Sequence, residues 1–279
     1  FKQKTAYEIM PSLVGSEMCI RDSLGVFMDW ENPYRTLDRY WIEAEWWTFK
    51  RAYEQGLIKK NLRVIHWCWR CETALAEHEL EYKVVEDPSI YVKFKIKDKP
   101  NEYILVWTTT PWTIPYNLGV MANPEIDYIK AKVDGEIWIL AKALAPGVIN
   151  AVAEKQYTII EEFKGEKLEG LEYEHPFSDI IDYNSLVKDA KKLHVVVMSE
   201  EYVNIDSGSG LVHMAPGCGP EDYEVGRREG IPPFNNLDEF GVFPEEMNKF
   251  KGLVAKAVSY THLRAHETRH DLVCRLLLE

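Results

Sequence analysis

The spacing of apolar residues changes along this chain from helical near the start to alternating further on. Between Thr36 and Gly56 apolar residues return every three or four positions, which predicts an amphipathic helix ending at the glycine. We expect its aromatic stripe to lie in a core. The stripe consists of Leu37, Tyr40, Trp41, Ala44 and Trp47.

Alternation of apolar and polar residues begins at residue 91, and this pattern is typical of half-buried strands. Segments 91–96 and 103–107 predict one hairpin, and 128–133 and 136–140 predict a second. Asp134-Gly135 joins the second pair and supplies the positive φ angles that a type I′ turn needs.

The remaining pattern predicts more strands than helices. Strands are expected at 158–163, 194–198 and 210–214, and helices at 142–155 and 220–230. This order favours the α+β class, with a helical stem at 24–85 followed by a β-rich domain at 86–257. The boundary is predicted near Glu86.

The two ends of the chain differ from the rest. Segments 11–23 and 258–279 show no clear amphipathic period and are similar to translated adapter read-through. We therefore expect 1–23 to be a non-native leader and 258–279 a non-native tail, and the native material to be truncated. Native tails or a capping helix remain the alternative.

Composition narrows the class of protein. The 279 residues are 46% hydrophobic, yet no apolar run approaches the roughly 18 residues of a membrane span, and no signal peptide pattern is present. We expect a soluble cytoplasmic protein without membrane contact. The net charge of −12 disfavours a uniformly basic nucleic-acid surface but leaves room for a local basic patch.

Cysteine usage indicates reduced thiols or metal ligation rather than a disulfide framework, since the five cysteines are irregularly spaced. Cys68 and Cys71 have the spacing of a structural zinc pair, but tetrahedral zinc needs four ligands. His66 and His78 are weak local substitutes. The sequence therefore predicts half of a metal site.

A first candidate for chemistry is the segment VWTTTPWTIPYN, from Val106 to Asn117. Pro111 and Pro115 each remove a backbone donor, so the segment should be an ordered turn outside the strand ladder. Its threonine hydroxyls can donate and accept, which suits a pocket that orients a water, a ribose or an ester. The alternative is that these threonines only reflect strand propensity.

A second candidate is GSGLVHMAPGCGPEDY, from Gly208 to Tyr223, where a strand ends at His213 and a helix begins beyond a glycine-rich loop. Asp222 either caps that helix or holds a cationic group in a cleft. His213 is either a structural residue, a pocket wall or a proton carrier. Phosphate binding is weakly indicated, because the Walker lysine and G-x-G-x-x-G spacing are absent.

Together the two motifs resemble the editing domain of the isoleucyl-tRNA synthetase family, over about residues 24–257. The related leucyl and valyl enzymes carry Thr-Thr-Arg-Pro-Glu-Thr at the first motif, whereas this chain has TTPWT. The upstream segments FMDWENPYRTLDRYWIEAEWW and CWRCETALAEHE resemble the stem that joins the insertion to the catalytic Rossmann domain. The resemblance implies a barrel-like editing domain of the valyl, isoleucyl and leucyl type.

The resemblance also implies site residues. Catalytic roles carry over to Thr108, Thr109, Thr110, Thr113, Asn117, His213 and Asp222. Substrate contacts are expected at Trp112, Gly210, Gly217 and Gly219. One departure is Cys218, which stands where the family often has histidine.

The resemblance implies hydrolysis of valyl-tRNA for isoleucine. This is the standard case of editing: valine lacks one methylene of isoleucine, and the about 1 to 3 kcal/mol that this difference is worth is too little for a single pocket to exclude valine. Asp222 would hold the α-ammonium, the threonine hydroxyls would orient water and ribose, and His213 would form a wall. The 3′ end of the aminoacylated tRNA and the rest of the synthetase are the expected partners of a monomer.

Cofactors are not expected for editing. Zinc is expected in the full-length enzyme, and ATP and magnesium only with catalytic parts, because no HIGH-like or KMSKS-like segment occurs here. Two alternatives remain open: a valyl or leucyl editing domain, and a non-catalytic module that binds tRNA ends.

Overall fold

The computed structural model describes residues 34–81, 89–188 and 190–255 and the backbone of Leu272–Val273. The chain divides into two compact units, Phe1–Asn61 and Leu62–Glu279. The predicted boundary near Glu86 lies outside the described residues, as do the predicted leader and all but two residues of the predicted tail.

The first unit contains the predicted amphipathic helix, α1, Arg39–Glu54, which is followed by Gly56 at φ +71. None of the side chains of α1 is buried, and Trp46 and Trp47 are 71% and 65% exposed. The expectation that its aromatic stripe lies in a core is therefore wrong for this unit. Periodicity identifies the apolar face of a helix, but the described residues of this unit supply no second element to cover it.

The second unit begins with a short antiparallel hairpin of β1, His66–Cys68, and β2, Thr73–Leu75. Ten further strands join one sheet within the described residues. They are β3 Ile90–Ile96, β4 Glu102–Thr108, β5 Gly119–Ala122, β6 Asp127–Val133, β7 Glu136–Ala141, β8 Thr158–Lys164, β9 Tyr173–Glu174, β10 Val195–Met198, β11 Leu211–Met214 and β12 Leu272–Val273.

Helical segments in this unit are short. The α-helices are α2, Tyr183–Leu186, and α3, Pro220–Glu229, and the 3-10 turns are Glu77–Glu79, Pro111–Tyr116, Gly165–Leu168 and Glu245–Phe250. The helix expected at 142–155 is instead a π-helical segment, Pro146–Val152. Pro146 has no backbone N–H, so it begins a helix but cannot continue one from residue 142. None of the described helices has the length and apolar character needed to cross a membrane.

Both predicted hairpins are confirmed. Strands β3 and β4 pair antiparallel, as do β6 and β7. Asp134 and Gly135 adopt φ 49 and 89, the two positive angles that a type I′ turn requires.

The sheet closes into a barrel through β4. Strand β3 occupies one edge of β4, while β7 and β11 share the other. From β11 the order continues through β5 to β10. Val195 of β10 forms a bridge with Glu172, the residue just before β9. Because β9 pairs with β3, this bridge closes the sheet. The predicted barrel-like α+β architecture is confirmed.

Alternation along β4 separates two cores. Ile104 and Val106 pack in the larger cluster with residues of β3, β5, β10 and β11, whereas Leu105 packs in a second cluster with Trp138 and Ile149. Thr108 has the same parity as Val106, and it is buried. The strand thus directs Thr108 toward the larger core.

Candidate active site

The order of strands brings the two candidate motifs together. Strand β11 lies between β4 and β5, with Val212 opposite Trp107 and Met214 opposite Gly119. The threonine-rich segment connects the end of β4 to the start of β5, so it must cross the end of β11. The last residues of β11 include His213.

His213 contacts that segment through both ring nitrogens. Its Nε2 lies 2.8 Å from the Thr113 hydroxyl, and its Nδ1 lies 2.9 Å from the Asn117 side-chain nitrogen. His213 is 6% exposed and Asn117 is fully buried. Three of the expected site residues thus form one hydrogen-bonded cluster.

The proton on His213 can be assigned from its neighbours. The side-chain nitrogen of Asn117 donates to the Gly119 carbonyl at 2.7 Å, and its oxygen accepts from the Tyr173 hydroxyl at 2.5 Å. Because those contacts fix the orientation of the amide, its nitrogen donates to Nδ1 of His213. The ring proton is therefore on Nε2, which donates to Thr113.

The threonine hydroxyls continue this cluster toward the surface. The Thr113 hydroxyl donates to the Thr110 carbonyl at 2.7 Å. The Thr110 hydroxyl lies 3.2 Å from both the Thr108 and the Thr113 hydroxyls, and the Thr108 hydroxyl accepts from the Thr110 amide at 3.1 Å. Thr109, the remaining threonine, is exposed.

Burial sets the charge of His213. It lowers the pKa of this imidazole to about 3, so the ring is neutral at physiological pH. Since both nitrogens are already hydrogen-bonded within the protein, the geometry suits a wall better than a proton carrier.

Asp222 occupies the first turn of α3 but does not cap it, because α3 has no side-chain cap. Its Oδ2 accepts instead from the backbone N–H of Ala215 at 2.8 Å. Burial raises the pKa of Asp222 to about 6, against the effect of that hydrogen bond. Within the described residues no lysine or arginine pairs with it. Asp222 is thus a half-buried carboxylate that no lysine or arginine among residues 34–81, 89–188 and 190–255 neutralises.

Two of the expected glycine contacts have a packing explanation. A Cβ at Gly210 would lie 2.4 Å from the Cβ of Ala141, and one at Gly217 would lie 2.3 Å from the Phe234 carbonyl oxygen. Gly219 differs, since a Cβ there would meet Asp222 at 3.5 Å, an ordinary contact. The substrate contacts of these three glycines stay predictions.

Cys218 is not a nucleophile in this setting. Burial, together with the nearby Asp222 carboxylate, raises the pKa of its thiol to about 12. The thiol therefore stays protonated, and Cys218 fills space beside Asp222.

Trp112 lines a cavity of about 610 Å³. Trp67 and Trp69 of the β1–β2 hairpin line the same cavity, and the Trp67 indole donates to the Glu239 carbonyl at 2.9 Å. Its described lining does not include His213, Thr113 or Asp222. The substrate contact expected at Trp112 therefore remains a prediction.

Cys68 is the last residue of β1, and Cys71 lies in the turn that leads to β2. The Cys71 amide lies 3.4 Å from the Cys68 sulfur, and this hydrogen bond lowers the pKa of Cys68. These two thiols fit half of a zinc site. Among the described residues no group of three or more histidine, cysteine or acidic side chains could hold a metal ion, so zinc binding stays a prediction.

Tyr173 is the residue of this cluster that the sequence pattern did not indicate. It lies on β9, 56 residues from Asn117, and its ring stacks on Phe94 at 5.0 Å between centroids. A strand of two residues is too short to show periodicity, and a tyrosine hydroxyl finds its partner only in the folded barrel.

Similarity to known proteins agrees with the motifs. The isoleucine–tRNA ligase of Pyrococcus abyssi is 49% identical over 239 residues, covering 84% of this chain and 22% of that protein. That of Sulfolobus acidocaldarius is 43% identical over 238 residues, covering 85% of this chain and 22% of that protein. The chain thus spans about a fifth of the length of these relatives.

Similarity of fold was found with the crystal structure of GlLeuRS-CP1, with a TM-score of 0.51 and 14% identity. It covers 68% of this chain and all of the other. A family model for tRNA synthetases class I (I, L, M and V) matches residues 10–203. The resemblance to isoleucyl-tRNA synthetase is confirmed, and the chain belongs to the class I tRNA synthetases of the I, L, M and V group.

Proposed function

We propose that this chain carries the editing site of an isoleucine–tRNA ligase, which hydrolyses the ester of valyl-tRNA for isoleucine. The observation that carries the proposal is the contact of Thr113 with His213, which joins the two motifs into one polar cluster at the end of the barrel. The similarity to isoleucine–tRNA ligases supports the choice of amino acid.

The substrate would be held by charge. An aminoacyl ester has a free α-ammonium group, and Asp222 is a half-buried carboxylate without a described cationic partner. Pairing with the ammonium would relieve the cost of desolvating Asp222, and a charge-assisted hydrogen bond would fix the position of the ester.

The threonines would supply orientation. Thr110 and Thr113 are partly exposed, so their hydroxyls can meet both the buried cluster and a ligand. Water attacks the ester carbonyl, the bond to the ribose oxygen breaks, and the ribose oxygen takes up the proton that the attacking water loses, which leaves free valine and a ribose hydroxyl. Holding water and ester in place accounts for the acceleration, since threonine is too weak a base to take the proton.

His213 would decide which amino acid enters. Its ring is neutral, buried and held by hydrogen bonds at both nitrogens, so it does not move aside for an extra methylene. This would admit valine and exclude isoleucine, a discrimination that depends on size rather than on charge.

The rest of the enzyme would activate the amino acid and position the tRNA. We place this chain in the cytoplasm with the 3′ end of the tRNA as its partner, together with the remainder of the synthetase. Editing itself would need no cofactor. Zinc would belong to the full-length enzyme.

A deacylation assay tests the proposal. The 279-residue chain is mixed with valyl-tRNA and isoleucyl-tRNA for isoleucine at saturating tRNA and low salt, since its net charge of −12 opposes association with RNA. We expect release of valine well above the spontaneous rate and little release of isoleucine. Threonine release from valine-specific tRNA would indicate a valyl-type domain, and tRNA binding without hydrolysis would indicate a non-catalytic module.

A further inference from the structure

We propose that Tyr173 is a positioning residue of the editing site, acting through Asn117 on the tautomer of His213. This role rests on the proposed hydrolytic function. It concerns a residue that lies on a strand outside both motifs and touches neither the threonines nor Asp222 in the described contacts.

The first step is the amide of Asn117. Its oxygen accepts from the Tyr173 hydroxyl at 2.5 Å, while its nitrogen donates to the Gly119 carbonyl and to His213. A flipped amide would face the Gly119 carbonyl with its oxygen and the Tyr173 hydroxyl with its nitrogen. Tyr173 and Gly119 therefore hold the amide from two sides.

The second step is the imidazole. Because the amide nitrogen donates to Nδ1, the proton of His213 is confined to Nε2. The Thr113 hydroxyl oxygen accepts the hydrogen bond from this Nε2–H. The Thr113 hydroxyl then keeps its own proton for the Thr110 carbonyl. Reversing the tautomer would leave a lone pair on Nε2 and draw the Thr113 hydroxyl away from Thr110.

Tyr173 is itself held firmly. It is 3% exposed, it stacks on Phe94 with an interplanar angle of 7°, and its strand pairs with β3 at Ile96. Strand β9 helps to close the barrel. Through its hydrogen bond to Asn117, the Tyr173 hydroxyl therefore ties the last residue of the threonine segment to that strand. A hydroxyl with this many constraints orients its acceptor at little entropic cost.

The test combines tautomer and rate. In the wild-type chain, nitrogen NMR of His213 should show the Nε2–H tautomer. In Tyr173→Phe the Asn117 oxygen loses the donor that holds it, so the amide is held less firmly and the two tautomers of His213 should be mixed. We expect kcat for valyl-tRNA to fall by roughly tenfold to a hundredfold with little change in KM. Tyr202→Phe is the control, since it also removes a hydrogen-bonded hydroxyl, here one that lies 3.3 Å from the Glu224 carboxylate and touches none of the expected site residues in the described contacts.

The control should keep both the tautomer and the rate. An Nδ1–H tautomer in the wild type would overturn the proposal without any variant, and so would an unchanged tautomer in Tyr173→Phe. A wild-type chain that is inert toward the ester, yet shows the tautomer shift in the variant, would leave the positioning role standing and reject the hydrolytic function. Should Tyr173→Phe not fold, Phe94→Leu, which removes the ring stacked on Tyr173, is the second variant, and an unchanged tautomer in it would overturn the proposal.

Discussion

Asn117 donates to the Nδ1 atom of His213 at 2.9 Å, although 96 residues separate them in the chain. This hydrogen bond joins the start of β5 to the end of β11, at the point where the threonine segment crosses between them. It also fixes the tautomer of a buried, neutral imidazole.

Removing the Thr113 hydroxyl should disconnect the threonines from His213. In Thr113→Val the Nε2–H of His213 loses its acceptor, which costs about 1 to 3 kcal/mol of unfolding free energy. Deacylation of valyl-tRNA should fall by at least tenfold. Chemical denaturation and single-turnover deacylation measure the two effects, and Thr109→Val, at an exposed position, is the comparison for stability. Equal stability of the two variants would contradict the hydrogen-bond assignment.

Asp222→Asn should abolish editing and stabilise the fold. Asparagine keeps an acceptor for the Ala215 amide but carries no charge for the substrate ammonium. The folded-state pKa of Asp222 is about 6 against an ordinary value of 3.8, so the wild type loses stability as the pH rises through this interval. The Asp222→Asn variant has no carboxyl group to ionise at this position, so it keeps that stability.

The gain from Asp222→Asn should therefore be small at pH 4 and reach about 1 to 3 kcal/mol at pH 7 and above. Thermal unfolding at both values measures it. Asp206→Asn, a substitution at an exposed aspartate, serves as the control. A variant that hydrolyses valyl-tRNA at the wild-type rate would remove Asp222 from the site.

The pH dependence of kcat/KM should report Asp222 and not His213. Protonation of the carboxylate near pH 6 removes the anchor for the ammonium, so the rate should fall as the pH is lowered through 6. The pKa of His213 is lowered to about 3, which places its protonation outside the accessible range. Circular dichroism at pH 5 checks that the chain remains folded. A rate that is constant from pH 5 to 8 would contradict the role of Asp222.

Replacing His213 by alanine should relax the choice of amino acid. Without the ring, the pocket gains room for one methylene, so hydrolysis of the cognate isoleucyl-tRNA should appear. Asn117 and Thr113 would lose their partner, at about 1 to 3 kcal/mol of stability. The ratio of the isoleucyl to the valyl rate is the measurement, with His78→Ala, a substitution at an exposed histidine, as control. An unchanged ratio would show that another residue forms the wall.

Several elements were predictable because their cause is local. The alternation in 91–107 and 128–140 predicts both hairpins, since successive side chains of a strand point to opposite faces of the sheet. Asp134-Gly135 predicts its turn through the φ angles that glycine and aspartate tolerate. The limits of α3 follow from Pro220 and Gly230, which adopt helix-start and left-handed conformations respectively.

Other expectations failed or changed because their cause is not local. The aromatic stripe of α1 is exposed, since a periodic face does not specify the element that covers it. The residues 142–155 are not one α-helix, because Pro146 interrupts the ladder of amide donors. The choice for Asp222 between capping and holding a cation changed as well, because its carboxylate accepts from Ala215 and has no cap contact.

By itself the sequence determined seven of the twelve described strands, the Asp134-Gly135 turn and the residue types of both motifs, and through those motifs the family. Only the tertiary structure decided that β11 lies between β4 and β5, which puts His213 against Thr113 and Asn117. It also decided that Tyr173 reaches Asn117 from the strand that closes the barrel. Local periodicity indicates which side chains share one face of an element. Hydrogen bonds between distant strands depend instead on how the sheet closes, and that closure is a property of the whole chain.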